Sequence, residues 1–217
     1  MFKSLKSKLS DQKIGKVFLC RHGATLLNGD TNSSDRVRGW IDVPLNNKGR
    51  LDADKAGEKL SKEHPSVIYT SDLERAVETA EIIDRRFHSP IQKSTDLRPW
   101  GLGDFQGKQT KDVLPEMKKL VESDTTPAPG GGESFKRFRT RYLSYLERIM
   151  QQAISEGKTV FVVCHFRNLI TYDGWKEQGY PSDFSVDTST VLGDKFKTGE
   201  ICEVDLEEYL KKRGSNG

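Results

Sequence analysis

The chain has 217 residues, enough for one domain with a sizeable core and a small insertion. Charged residues are abundant, but 35 Lys and Arg against 32 Asp and Glu leave a net charge of only +3. That balance argues against a general nucleic-acid binder, and no apolar run reaches the ~18–20 residues of an integral membrane span.

Met1 to Gly15 is basic and amphipathic, with Phe2, Leu5 and Leu9 at helical spacing, but it lacks the apolar core of a signal peptide. Residues 1–15 read as a flexible, solvated arm. Val17 to Cys20 is an unbroken apolar run of mostly β-forming residues, which predicts a strand buried on both faces. It stops at Arg21-His22-Gly23. The carboxyl end of a strand is where open α/β sheets bind ligands. Arg offers a fixed fork for phosphate oxygens, His a nitrogen that is nucleophilic near neutral pH, and Gly a backbone that turns sharply beside a ligand. Taken alone, the same residues also suit a plain strand end with a surface Arg.

Ala24 to Val43 is a long polar loop carrying Arg36 and Arg38. Asn46 is placed to cap a helix whose apolar face is Leu51, Ala53, Ala56 and Leu60. Val67 to Tyr69 is a second strand. Ser71-Asp72-Leu73-Glu74 has capping-box spacing, so a helix is predicted from Ser71, with Arg75 in its first turn. Unpaired amides there favour an anion. Pro90 to Leu97 holds a third strand, and Thr110 to Val121 a helix between Gly- and Pro-rich stretches. Residues 96–133 are therefore read as a small lid insertion. Glu133 to Ser155 is a long helix, with Arg137, Arg139, Arg141 and Arg148 expected on a solvated face.

Thr159 to Cys164 is the second strongly buried strand, and His165 follows it directly. Phe166 to Lys176 returns to helical pattern, with Arg167 expected to face outward. Val191-Leu192 and Ile201 to Val204 are candidate edge strands. The polar residues 211–217 are expected to be a disordered tail. Alternating strands and helices predict an α/β fold: a three-layer sandwich with a mainly parallel central sheet, helices on both faces, and a single domain over residues 16–210.

The three cysteines, Cys20, Cys164 and Cys202, are an odd number, which suits free thiols in a reducing, cytoplasmic setting. Cys20, His22, Cys164 and His165 form a conceivable zinc set. Successive strand residues face opposite sides, however, so buried structural cysteines are expected and no metal. Two buried strands each deliver a histidine to one sheet edge, joined by Arg21 and Arg75. Two imidazoles and two guanidinium groups make a cationic pocket that fits a phosphoryl group. His22 would attack phosphorus and carry it as phosphohistidine, Arg21, Arg75 and His165 would neutralise the oxygens, and water would release phosphate, with no cofactor.

Arg21-His22-Gly23-Ala24-Thr25-Leu26-Leu27-Asn28 is similar to the RHGxTxxN signature of the histidine phosphatase superfamily, also called phosphoglycerate mutase-like. Arg38-Gly39-Trp40, Pro44-Leu45-Asn46, Ser71 to Ala76, Gly131 to Ser134 and Val162 to His165 resemble its later blocks in the right order, so the likeness runs from about Val17 to Thr171. The resemblance implies that His22 is the phosphorylated nucleophile and that Arg21, Arg75 and His165 line the phosphate pocket, with Asn28, Thr25 and Gly23 as further substrate-binding positions. His64 and His88 match no motif and are expected in solvent. Two positions depart from the pattern. Pro99 occupies the place where the family carries a glutamate acid, which leaves Asp104, and after it Glu133, as substitutes. Phe166 and Arg167 follow His165 where glycine is common. The expected function is a phosphatase acting on a small phosphorylated metabolite. A phosphoglycerate mutase is the alternative, and a non-catalytic phosphate-binding regulator a third reading. The sequence leaves the oligomeric state open.

Overall fold

The computed structural model describes residues 14–28, 35–189, 191 and 195–215. The arm at residues 1–13 lies outside the described residues. Five strands form one sheet in the order β3-β2-β4-β1-β5: β1 Lys16–Arg21, β2 Val67–Ser71, β3 Ile91–Ser94, β4 Thr159–Cys164 and β5 Ile201–Val204. All pairs are parallel except β5, which runs antiparallel to β1 as an edge strand. Helices cover both faces, α1 Asn47–Lys59 and α2 Glu74–Asp84 on one, α4 Phe135–Glu156, α5 Phe166–Glu177 and α6 Leu206–Ser215 on the other, while α3 Thr110–Ser123 follows β3.

The apolar strands are unbroken because both faces are covered. Val17 and Leu19 of β1 join the larger core with Phe138, Tyr142 and Trp175. Phe18 and Cys20 point the other way, onto Ala56, Leu60, Ala76 and Ala80. Phe18 meets Phe161 edge to face at 5.6 Å between ring centres. At roughly 25 cal/mol per Å² of apolar area removed from water, this two-sided burial is what holds the central strands in place. All three cysteines are free, Cys20 and Cys164 buried.

Parallel register sets the site. Val17 pairs with Val160 and Arg21 with Cys164, so β1 and β4 end level with each other. The His22 amide continues the ladder to the Cys164 carbonyl at 3.0 Å. Both histidines therefore emerge side by side from one edge. β2 ends at the same edge, three residues before α2 begins.

Several sequence readings need correction. The Asn46 cap forms, with its Oδ1 accepting from the Gly49 amide at 2.8 Å. The Ser71 cap does not. Ser71 stays in the sheet opposite Ser94, and α2 begins at Glu74, whose amide donates instead to Asp42 Oδ1 at 2.7 Å. Val191 lies in a turn rather than a strand, and Leu192 falls outside the described residues. The tail is helical to Ser215, because Tyr209 donates to Glu147 Oε1 at 2.6 Å and Arg213 pairs with the same carboxylate. Arg137 and Arg148 are exposed as expected, but Arg139 and Arg141 are not on a solvated face. Arg139 is buried, clamps Asp124 in a fork and donates to the Asp183 and Phe184 carbonyls. Loop carbonyls that a helical wheel cannot show supply the partners.

Candidate active site

Among the described residues, one cavity of about 470 Å³ opens at the carboxyl edge of the sheet, and Arg21, His22, Arg75 and His165 all line it. The four predicted residues thus meet although the chain separates the first and last by more than 140 positions. The two imidazole rings stand 5.1 Å apart at 62°. His22 and His165 are each 2% exposed and Arg75 1%.

His22 Nδ1 lies 2.7 Å from its neighbour's carbonyl, Gly23 O. A carbonyl only accepts, so Nδ1 carries the proton and Nε2 keeps a lone pair. Burial, then the Arg75, Arg21 and Arg38 guanidinium groups, hold the His22 pKa well below the usual histidine value, which keeps that lone pair unprotonated. Burial, Arg75, His22, Arg38 and Arg21 do the same to His165. Both ring nitrogens of His165 are buried with no hydrogen-bond partner. Arg75 donates to the Gly39 carbonyl at 2.9 Å and the Ile41 carbonyl at 2.8 Å, while its buried Nε has no protein acceptor. Burial, then Arg38, brings the Arg75 pKa down to about 9, and the group stays charged at neutral pH. Arg21 donates to the Phe196 carbonyl at 2.5 Å and lies 4.9 Å over the Phe166 ring. Buried donors without acceptors are costly. Placing them around one cavity leaves a site that a phosphoryl group would complete.

Asn28 lines the cavity, and Thr25 holds its Oδ1 through both its amide (2.9 Å) and its hydroxyl (3.0 Å). Thr25 and Gly23 do not line the cavity, contrary to the sequence reading. The Gly23 amide donates to Thr79 Oγ1 at 3.1 Å and its carbonyl holds His22, so both residues position others. Gly23 is required by close approach, since a Cβ there would sit 2.1 Å from the Gly49 carbonyl oxygen.

Neither candidate acid reaches the cavity. Asp104 is exposed and lies against the Gly130 backbone. Glu133 is buried, but Arg141 grips both its oxygens at 3.0 Å and the Gly101 amide donates to Oε2. Arg141 also donates to the carbonyls of Thr95 and Asp96, so this ion pair fastens the loop over the cavity. Pro99 itself lines the wall. Arg167 faces the cavity and donates to the Val191 carbonyl rather than pointing outward. His64 and His88 are exposed.

Sequence reasoning assigned no role to the charged cavity residues Asp35, Arg36, Arg38 and Lys111. Asp35 Oδ1 accepts from Arg38 at 2.9 Å and Oδ2 from the Thr110 hydroxyl at 2.6 Å. The Arg36-Val37-Arg38 alternation, with Val37 buried between two cations, was the available signal. Among the described residues no group of three or more His, Cys, Asp or Glu side chains could hold a metal ion.

The family model of the histidine phosphatase superfamily, branch 1, matches residues 17–171. The chain belongs to the histidine phosphatase superfamily. It is 36% identical over 162 residues to phosphoglycerate mutase-like protein 4 of Arabidopsis thaliana, covering 71% of this chain and 68% of that protein. It is 32% identical over 161 residues to a glucosyl-3-phosphoglycerate phosphatase of Mycolicibacterium vanbaalenii, covering 70% of each. The solved structure of Bacillus stearothermophilus YhfR superposes with a TM-score of 0.68 at 31% identity, covering 88% of this chain and 90% of that one. Membership agrees with the sheet and with both histidines lying at its edge.

Proposed function

We propose that this histidine phosphatase hydrolyses a small phosphomonoester through a phosphohistidine on His22. The observation that carries the reading is the His22 Nδ1 bond to Gly23 O, which leaves Nε2 as a nucleophile inside a ring of buried donors. Nε2 attacks phosphorus and the bridging P–O bond breaks. Arg21, Arg75 and His165 donate to the equatorial oxygens as charge builds there, and such electrostatic stabilisation is the main source of rate enhancement in sites of this kind. Water then attacks the phosphohistidine, the P–N bond breaks with its electron pair returning to Nε2, and phosphate leaves. The segment over residues 96–133 supplies Pro99, Trp100, Leu102 and Met117 to the cavity wall and is read as the lid. Three free thiols favour a cytoplasmic setting.

Relatives named for phosphoglycerate mutases keep isomerisation as the alternative. The test separates the readings. The protein is incubated with p-nitrophenyl phosphate, and separately with 3-phosphoglycerate plus 2,3-bisphosphoglycerate. Phosphate release that His22→Ala abolishes, together with acid-labile, alkali-stable labelling of the wild type, is the expected result. Isomerisation without release would make the protein a mutase. Phosphate binding with no turnover would make it a regulator.

A further inference from the structure

We infer that the substrate carries its phosphoryl group on an acidic oxygen, as in an acyl, enol or aryl phosphate, and that the leaving group departs as an anion without being protonated. This rests on the phosphatase reading above and specifies its substrate class.

When Nε2 of His22 bonds to phosphorus, the P–O bond breaks and its electron pair stays on the leaving oxygen. An alkoxide needs a proton at that moment. A carboxylate, enolate or phenolate does not. Among the described residues, carboxyl groups that could give a proton are scarce in the cavity. Asp104 faces solvent and Glu133 is closed off by Arg141. Among the described residues that line the cavity, Asp35 is the one carboxyl group. Its Oδ1 accepts from the Arg38 guanidinium and its Oδ2 from the Thr110 hydroxyl. Both of its oxygens are thus engaged by protein donors rather than left open to a leaving group.

The rest of the wall suits an anion on an apolar frame. Trp100, Leu102, Leu114, Met117 and Phe166 give apolar surface, and Pro99 adds a ring with no donor. Arg36, Arg38 and Lys111 bring positive charge to the same cavity. Arg36 donates to the Gly107 carbonyl, and neither it nor Lys111 has a carboxylate partner among the described residues. Such cations stabilise a departing oxyanion directly, in the way an acid does by protonating it. No proton moves in the first step. In the second, water's oxygen bonds to phosphorus, the pair returns to Nε2, and the water's protons remain with phosphate and solvent.

The test measures kcat/KM of the wild-type protein on aryl phosphates of similar size (4-nitrophenyl, phenyl and 4-methoxyphenyl), on acetyl phosphate and on ethyl phosphate. The expected result is a steady fall as the aryl leaving group becomes more basic. Acetyl phosphate should rank with the best substrates, and ethyl phosphate should lag the aryl esters by about 10²–10⁴-fold, the usual contribution of a positioned acid. Pro99→Glu puts a carboxyl group on the cavity wall. It should flatten the series and add a fall in kcat/KM at high pH as the new acid loses its proton. The wild-type series decides the matter alone if that variant does not fold. A flat wild-type series, or ethyl phosphate within about tenfold of phenyl phosphate, shows that a donor is present and overturns this inference while leaving the phosphatase reading intact. No His22-dependent release from any ester overturns both.

Discussion

Replacing Arg75 by alanine tests the electrostatic logic of the site at its centre. Arg75 is 1% exposed, its guanidinium is anchored by the Gly39 and Ile41 carbonyls, and its buried Nε has no protein acceptor. Loss of one donor aimed at developing charge typically costs ~2.7–4 kcal/mol of transition-state stabilisation, or about 10²–10³ in kcat. Stability changes by opposing amounts. Two carbonyls lose charge-assisted partners, each worth about 1.5–3 kcal/mol, but the repulsion from Arg38 and Arg21 that depresses the Arg75 pKa disappears as well. The fold should therefore survive with a modest loss. The distinguishing signature lies in the histidines. After burial, Arg75 is the largest cause of the lowered pKa of both His22 and His165, so both values must rise in the variant. Steady-state kinetics with p-nitrophenyl phosphate and an NMR titration of the imidazole C–H signals read the two effects. A rate within about threefold of wild type, against the loss expected above, would refute the clamp. Unmoved histidine pKa values would refute the electrostatic account.

The same depressed values predict how stability varies with pH. Both histidines stay neutral in the native state below 6.5, where the unfolded chain takes up protons, so the unfolded state binds more and stability falls with acid. Chemical denaturation from pH 7 to 5 should lose up to about 1.4 kcal/mol per pH unit for each histidine, and inorganic phosphate should reduce the loss. Arg141→Ala strands the Glu133 carboxylate, whose side chain is 5% exposed, and should cost about 3–5 kcal/mol in urea unfolding. A loss near zero would mean that the loop is held by other contacts. Gly23→Ala drives a Cβ into the Gly49 backbone. It should destabilise the protein by about 1–3 kcal/mol or more and lower activity with it, because the carbonyl that orients His22 must move. Thermal melts and turnover of the purified variant check both effects.

Much of the fold and site could be read in the sequence, for reasons particular residues make clear. Val17 to Cys20 and Thr159 to Cys164 are apolar almost without a break, and only a strand covered on both sides tolerates that. Once both were placed in a parallel sheet, His22 and His165 had to share an edge. The failures have a common cause. Ser71 has the composition of a helix cap but is held by its ladder partner Ser94, a contact remote in sequence. Arg139 and Arg141 lie on a long helix among exposed cations, and the carbonyls that hold them belong to loops 42 to 46 residues away. As substitutes for the acid at Pro99, Asp104 and Glu133 rest on position in the sequence alone. In space one turns to solvent and the other is absorbed by an ion pair.

The thiols carry a consequence for oxidative stress. Cys20 directly precedes the Arg21-His22 pair on β1, and Cys164 directly precedes His165 on β4. Burial pushes the Cys20 thiol up to about 12 and Cys164 higher, and it also raises the half-buried Cys202. Peroxides and alkylating agents react with thiolates, which these sulfurs do not form at physiological pH. With a ring nitrogen in the nucleophile's place, hydrogen peroxide doses that silence thiolate-dependent hydrolases should leave this one working.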